Sequence, residues 1–330
     1  MADMQFTAVF WNIHKFKAAG SDEWAGRLDL AAATLKELGG GEPPGLIGLC
    51  EIHDDSALSG LAERLGGVHG YEFGGSAGGR WPGDVGVLYH RELFEPPALV
   101  EEYPPPGGPD RCRGASMRLG LRGRAEGVQL SVHHWPWPLY KGPVDLGYHR
   151  LACRQWLWDR RCPRLPGDVA IAMGDFNVPP YDSLWDGGGL ATRYATEARQ
   201  QPESLLPLYN TGWRFLQDPL RADGSPVHGG ASWPETRGSF REPDGSWHLW
   251  DQLLVSGQAL GGGPLRLVED SVCYAAPDGI SHDPEGTGVR QPLRWSWDAA
   301  HGSGRGMSDH FPVLARFECA GPGDNDGRCE

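Results

Sequence analysis

The octapeptide Ser308–Ala315 constrains the fold of this chain more than any other stretch. A polar triplet, Ser308-Asp309-His310, runs without a break into Phe311, Val313, Leu314 and Phe317, an apolar segment rich in strand formers. Such a segment needs a sheet to bury it. The sheet then fixes a carboxylate and an imidazole side by side at its tip. Taken alone, an Asp-His pair is more often part of a solvated loop. The same arrangement recurs along the chain, and the recurrence gives it weight.

Gln5 to His14 alternates apolar and other residues and predicts a core strand ending at Asn12 and His14. Ser21-Asp22-Glu23 is a helix start, and Trp24, Leu28, Ala31, Leu35 and Leu38 follow at helical spacing until Gly39-Gly40-Gly41. Leu46 to Cys50 predicts a short buried strand that delivers Glu51 at its tip, a rigid place for a metal ligand or the first residue of a surface loop. A second helix is expected over Ala57 to Leu65, and strands over Asp84 to His90, Ala98 to Glu102 and Ala115 to Leu121, with a Pro/Gly loop from Pro104 to Arg113.

Val128 to His134 predicts a strand ending in two histidines and closed by Trp135-Pro136. Asp145 to Cys162 carries apolar residues on more than one side, so we expect a largely buried helix. Val169 to Met173 is strongly strand-like and delivers Gly174-Asp175-Phe176-Asn177, with Asp175 and Asn177 at alternate positions. Residues 181 to about 246 are Trp-rich and irregular, as expected of loops that carry specificity. Trp247 to Ser256 predicts a strand with Asp251 at its centre; a carboxylate among apolar residues needs a partner, and His310 is the candidate. Leu265 to Tyr274 is a further strand, Pro277 to Gly306 a long loop, and Phe311 to Phe317 the last strand. No repeat or linker is evident. We therefore expect one catalytic domain over 1–319 and a frayed polar tail over 320–330.

Composition excludes some classes. The net charge of −13 argues against broad electrostatic capture of a nucleic-acid backbone, although a cation in a carboxylate cluster reverses the local field. No apolar run is long enough for a transmembrane segment. The N-terminus has no basic region followed by an apolar one, so no secretory signal is expected and the location is read as cytoplasmic. The seven cysteines lack CxxC spacing and read as reduced thiols.

Six blocks, taken in order, resemble the endonuclease/exonuclease/phosphatase superfamily with its deoxyribonuclease-I-like fold. They are Trp11-Asn12-Ile13, Leu49-Cys50-Glu51, Val132-His133-His134-Trp135-Pro136, Gly174-Asp175-Phe176-Asn177, Trp250-Asp251-Gln252 and Ser308-Asp309-His310-Phe311-Pro312-Val313. The resemblance implies an α/β four-layer sandwich, two mixed, mainly antiparallel sheets face to face with helices outside. It also implies hydrolysis of a phosphoester with Mg²⁺, Mn²⁺ being able to substitute. Glu51 and Asp309 would bind the metal, and Asn12 would support the metal or the phosphate. Asp175 and Asn177 would orient the attacking water and bind phosphate. His134, by its spacing to Trp-Pro favoured over His133, and His310 would face the phosphate, with Asp251 orienting His310. One departure is His14, two residues after Asn12, where some members of the family place an acid.

The residue types suit the chemistry. Mg²⁺ takes hard oxygen ligands and keeps several waters, so one or two carboxylates suffice. Imidazolium and amide donors stabilise charge on phosphoryl oxygens. The expected activity is that of a metal-dependent phosphodiesterase acting on a phosphoester substrate, in the first instance a nuclease on nucleic acid. A phosphomonoesterase, or an enzyme for a small-molecule or lipid-headgroup phosphoester, is the alternative, and an inactive binding module the third reading. The oligomeric state is not readable from the sequence.

Overall fold

The computed structural model describes residues 5–16, 21–52, 55–74, 85–103, 113–137, 143–160, 167–186, 189–200, 207–216, 236–261, 263–298 and 303–319. Two mixed sheets form its centre. The six-stranded sheet runs in the order Leu265–Tyr274, Val313–Cys319, Gln5–Phe16, Leu46–Ile52, Val85–His90 and His69–Gly74. The eight-stranded sheet runs Ala191–Thr192, Leu208–Asn210, Asp251–Val255, Val169–Asp175, Gly127–His134 and Gly114–Leu121, with Phe94–Glu95 and Val100–Tyr103 both paired to the last. Only the pairings of Gln5–Phe16 with Leu46–Ile52, Gly127–His134 with Val169–Asp175, and Ala191–Thr192 with Leu208–Asn210 are parallel in these two sheets.

Alternation along each strand assigns its two faces. In Val169–Asp175 the residues Val169, Ile171 and Met173 enter the core shared with Ala8, Phe10, Val313 and Phe317 of the other sheet. Ala170 and Ala172 face outward against Cys153 and Leu157 of the helix Pro143–Arg160. On the far side, Val9, Trp11 and Ile13 pack against Leu28, Ala31 and Leu35 of the helix Ser21–Leu38 and against Leu58 and Leu61 of the helix Asp55–Arg64. The result is helix, sheet, sheet, helix, as the resemblance implies.

At Gly48 the two sheets pack with no room for a side chain between them. A Cβ there would lie 2.6 Å from Met173 Sδ and 3.2 Å from Val132 Cγ2. Both neighbours are fully buried. Gly48→Val is expected to lower the unfolding free energy by about 1–3 kcal/mol through overpacking, read as a lower midpoint in urea.

Some expectations need correction. Asp251 opens the strand Asp251–Val255 and is not at its centre, because Trp247–His248 turns back to form a separate hairpin with Phe240–Arg241. The helix Pro143–Arg160 buries Leu146, Cys153 and Leu157 but leaves Tyr148 and Leu151 exposed, so it lies half in solvent. The Pro277–Gly306 stretch is not loop throughout: Ser281–His282 pairs with Gln291–Pro292, and Ser296–Asp298 with Ser303–Arg305. The strand His69–Gly74 was not anticipated. The tail 320–330, Asp84, most of the Pro104–Arg113 loop, and Cys112, Cys162 and Cys329 lie outside the described residues.

Candidate active site

Strand register builds the first half of the site. His134 and Asp251 are the direct partners of Asp175 on either side, so an imidazole and two carboxylates stand in line across three neighbouring strands. The parity that sends Ile171 and Met173 into the core sends Asp175 the same way, at the point where the core ends. The Asp175 side chain is 2 % exposed, and its Oδ2 lies 3.9 Å from His134 Nε2 and 3.9 Å from His310 Nε2. His133 points away. It sits between the rings of Trp156 and Phe176, its Nδ1 accepts a bond from Trp135 Nε1 at 3.2 Å, and burial pushes its pKa down to about 3.

The six-stranded sheet supplies the second half. Asn12 Nδ2 donates to Asp175 Oδ2 at 3.0 Å and lies 3.4 Å from Glu51 Oε1, so one amide bridges the two sheets. The octapeptide is fastened over this seam: Ser308 Oγ donates to Asn12 O and accepts His310 N–H, and Trp11 Nε1 donates to His310 O at 3.1 Å. His310 Nδ1 is 2.7 Å from Asp251 Oδ2, both side chains buried. The structure therefore brings together Asn12, Glu51, His134, Asp175, Asn177, Asp251, Asp309 and His310. The one pairing expected from the residues alone, His310 with Asp251, is formed.

Backbone strain collects here. Among the described residues, the non-glycine residues with positive φ are His14 (50°), Lys15 (50°), Glu51 (59°) and Asn177 (52°). Each costs of the order of 1–3 kcal/mol unless its surroundings compensate. Asn177 is held by its N–H on Asp175 Oδ1 at 3.1 Å, its Nδ2 on Trp135 O at 2.9 Å, and Arg150, which donates to its carbonyl. The His14–Lys15 turn follows an irregularity in register after Asn12 and is held by the buried Arg27, which donates to the carbonyls of Ile13, His14 and Lys15.

Charge is balanced within the cluster. Burial raises the Asp175 pKa to about 6, helped by Asp251 and opposed by His310, His134 and the Asn12 bond. Burial alone would lower His310, but Asp251 and Asp175 overcome it and hold the ring well above the ordinary histidine value. For Asp309, burial pushes upward, and His310, His14 and Arg294 together outweigh it and bring the pKa below the usual carboxylate value. His14 is lowered by burial, against the pull of Asp309 and Glu51.

Two places could hold a cation. Ligand atoms of Asp175, Asp251 and His310 lie within 4.8 Å of one another. There Asp251 Oδ1 is buried without a donor, but Asp251 and Asp175 hold His310 protonated, and an imidazolium offers a cation no lone pair. The other place is formed by Glu51 and Asp309. Asp309 Oδ1 is buried without a hydrogen-bond donor, while Oδ2 accepts from Arg294 at 2.7 Å. Asp309 and Glu51 converge on one imidazole, His14 Nδ1 lying 3.4 Å from Asp309 Oδ1 and 3.5 Å from Glu51 Oε2, and they offer the oxygen ligands a hard divalent ion takes.

Sequence reading missed Arg27, Arg294 and the hairpin wall. Ser239 Oγ accepts the N–H groups of Trp250 and Asp251, and the Phe240 ring lies 4.6 Å from the His310 ring and stacks on Trp250 at 4.7 Å. The only available signal was for Arg27, a cation beside Leu28 on a helix face otherwise buried.

The fold has counterparts among solved structures. The chain is similar in structure to a humanised D. rerio TDP2 carrying 14 mutations (TM-score 0.56, 11% identity, 95% of this chain and 98% of that one). An endonuclease/exonuclease/phosphatase family protein of Bacteroides thetaiotaomicron matches with TM-score 0.56 at 14% identity, over 97% of this chain and all of that one. A Staphylococcus aureus beta toxin structure gives 0.56 at 13%, covering 94% and 99%. No curated protein matches the chain significantly in sequence. The sequence profile of the Endonuclease/Exonuclease/phosphatase family matches residues 9–310, which run from the first core strand to His310, and on that match the chain belongs to this family.

Proposed function

We propose that this chain is a metal-dependent phosphodiesterase acting on nucleic acid, with a single catalytic domain over 1–319. The observation that carries the reading is the convergence of Asp175, His134, the His310–Asp251 pair and the Glu51–Asp309 carboxylates on one seam. Glu51 and Asp309 would hold the divalent ion, Mg²⁺ or Mn²⁺. When bound there it supplies Lewis-acid stabilisation of phosphoryl charge and lowers the pKa of a bound water.

The protein groups supply the rest. Asp175 accepts the proton of the attacking water, and its raised pKa suits that task near neutrality. His134 and protonated His310 donate to phosphoryl oxygens, and Asp251 keeps His310 charged and aimed. Asn12 positions Asp175 and Glu51 relative to one another. Asn177 fixes the Asp175 carboxylate through its N–H and presents the rest of its amide to the phosphate. Nucleic acid as substrate is supported by a D. rerio TDP2 structure of the same fold complexed with a single-strand DNA product. The net charge of −13 favours a second reading, a small phosphoester that needs no basic groove. Cys50, Cys153, Cys273 and Cys319 are buried and form no disulfide among the described residues, which suits a reducing compartment and supports a cytoplasmic location. No helix among the described residues is long and apolar enough to cross a membrane.

The test is hydrolysis of single-stranded DNA, duplex DNA, RNA and bis-para-nitrophenyl phosphate with and without Mg²⁺ or Mn²⁺. Glu51→Gln should lose about 100-fold or more in metal-dependent turnover with its fold unchanged by circular dichroism. Cleavage of the small diester alone would move the substrate to small phosphoesters. Near-normal turnover of Glu51→Gln would remove this residue from the metal site.

A further inference from the structure

The family-like carboxylates do not stand alone. His14 Nδ1 lies 3.5 Å from Glu51 Oε2 and 3.4 Å from Asp309 Oδ1, the buried oxygen that has no hydrogen-bond donor. Ligand atoms at about 2.1 Å from a common ion are about 3.4 Å apart along a tetrahedral edge, so His14 is already spaced to share an ion with each carboxylate in turn, and closing all three on one ion needs the two carboxylates to draw together around it.

The placement is built. His14 and Lys15 are both in the left-handed region, which neither residue prefers. Their turn is closed by Lys15 N–H on Glu51 Oε2 at 3.0 Å and His14 N–H on Asn12 Oδ1 at 3.1 Å. Arg27, 8 % exposed and stacked against Phe16 and Trp295, spends its guanidinium on the carbonyls of this turn and on Met307 O, two residues before Asp309. A substrate-facing histidine would not need to be fastened to the same residues that hold Glu51 and Asp309. The turn carries the imidazole to the two carboxylates and holds it there.

We propose that His14 supplies a nitrogen ligand to the divalent cation held by Glu51 and Asp309, and that the site therefore prefers a borderline transition-metal ion to Mg²⁺. This rests on the reading of Glu51 and Asp309 as the metal site. Imidazole is a poor ligand for Mg²⁺, which takes oxygen, a weak but accessible one for Mn²⁺, and a good one for Co²⁺ and Zn²⁺.

The experiment reads binding. Chelator-stripped full-length protein is titrated by calorimetry with Mg²⁺, Mn²⁺ and Co²⁺. The Mn²⁺-loaded form is examined by electron-spin-echo spectroscopy for coupling to an imidazole nitrogen. Wild type, His14→Asn, His14→Asp and Glu51→Gln are compared; Asn tolerates the left-handed backbone, so the fold is preserved. The expected result is nitrogen coupling in wild type and none in His14→Asn. Affinity for Mn²⁺ and Co²⁺ should fall about 10–100-fold in His14→Asn, with Mg²⁺ affinity little changed, and His14→Asp should gain Mg²⁺ affinity. Absence of coupling in wild type, or its persistence in His14→Asn, overturns the proposal. If Glu51→Gln abolishes cation binding while His14→Asn behaves as wild type, the His14 ligand alone is wrong. If Glu51→Gln binds cations as wild type does, the metal-site reading beneath it fails.

Discussion

Asp175→Asn is expected to lower kcat by about 10²–10⁴-fold and to leave the fold intact. The amide is isosteric, and the residue lies at a strand tip where its neighbours are polar. The Asn177 N–H can still find an acceptor in the side-chain oxygen, so the turn after the strand is kept. What disappears is the capacity to take a proton from water. The pH profile separates this from a loss of shape. In the wild-type protein Asp175 has its pKa raised to about 6, so the fraction ready to act as a base falls as pH drops through that value. The acid limb of kcat/KM should lie near pH 6, well above that of an ordinary carboxylate. The residual rate of the variant should lack that limb. An unchanged acid limb in Asp175→Asn would assign the titration to another group.

His310→Gln has the second large effect, and it falls on stability as well as activity. His310 is the cation between Asp251 at 2.7 Å and Asp175 at 3.9 Å, and all three are buried. Removing it leaves two uncompensated carboxylates in the interior, a cost of about 3–5 kcal/mol. The sign with pH follows from the direction of the shift. A histidine whose folded pKa is raised contributes stability that is fully present below its unfolded pKa and is lost as pH rises through the folded one, which here lies well above the ordinary value. The wild type therefore keeps this contribution at neutral pH. In the variant nothing offsets the buried carboxylates at any pH where the wild-type ring is charged. Thermal unfolding of both proteins should show a large gap in Tm at and below neutral pH that closes as pH rises through the folded-state pKa of His310, well above the ordinary histidine value. Turnover should fall about 10²–10³-fold from loss of the phosphate-facing donor. A Tm gap that is constant with pH would show that His310 acts by packing against Phe240 and not by charge.

Much of this site was legible because strands write their faces in period two. The parity that buries Val169, Ile171 and Met173 also aims Asp175, and the run Leu46 to Cys50 announces Glu51 in the same way. The partner of Asp251 followed from the cost of an unpaired buried charge. Its position did not, because the break after His248 depends on a hairpin whose other strand lies in an irregular segment. Left-handed φ at Glu51 and His14 carries no sequence mark, since these residues adopt it only under long-range hold. A cation beside Leu28 marks Arg27 as unusual, but what it holds was hidden for the same reason: its acceptors are carbonyls, which every residue has. The walls made by Ser239 and Phe240 depend on pairings across about seventy residues, Phe240 bridging to His310, that no local pattern encodes.

The candidate site is split between two independently hydrogen-bonded sheets. Asn12 and Glu51 belong to one, and His134, Asp175 and Asp251 to the other. Relative sliding of the sheets breaks no strand pairing, yet it moves the proton acceptor away from the carboxylates opposite. A misplacement of 1 Å in such a constellation can cost about 100-fold in rate. Two contacts across the seam oppose that slide, the Asn12 bond to Asp175 and, one layer below, Met173 packed against Gly48, so a side chain with no polar atom in the site helps to keep its halves aligned.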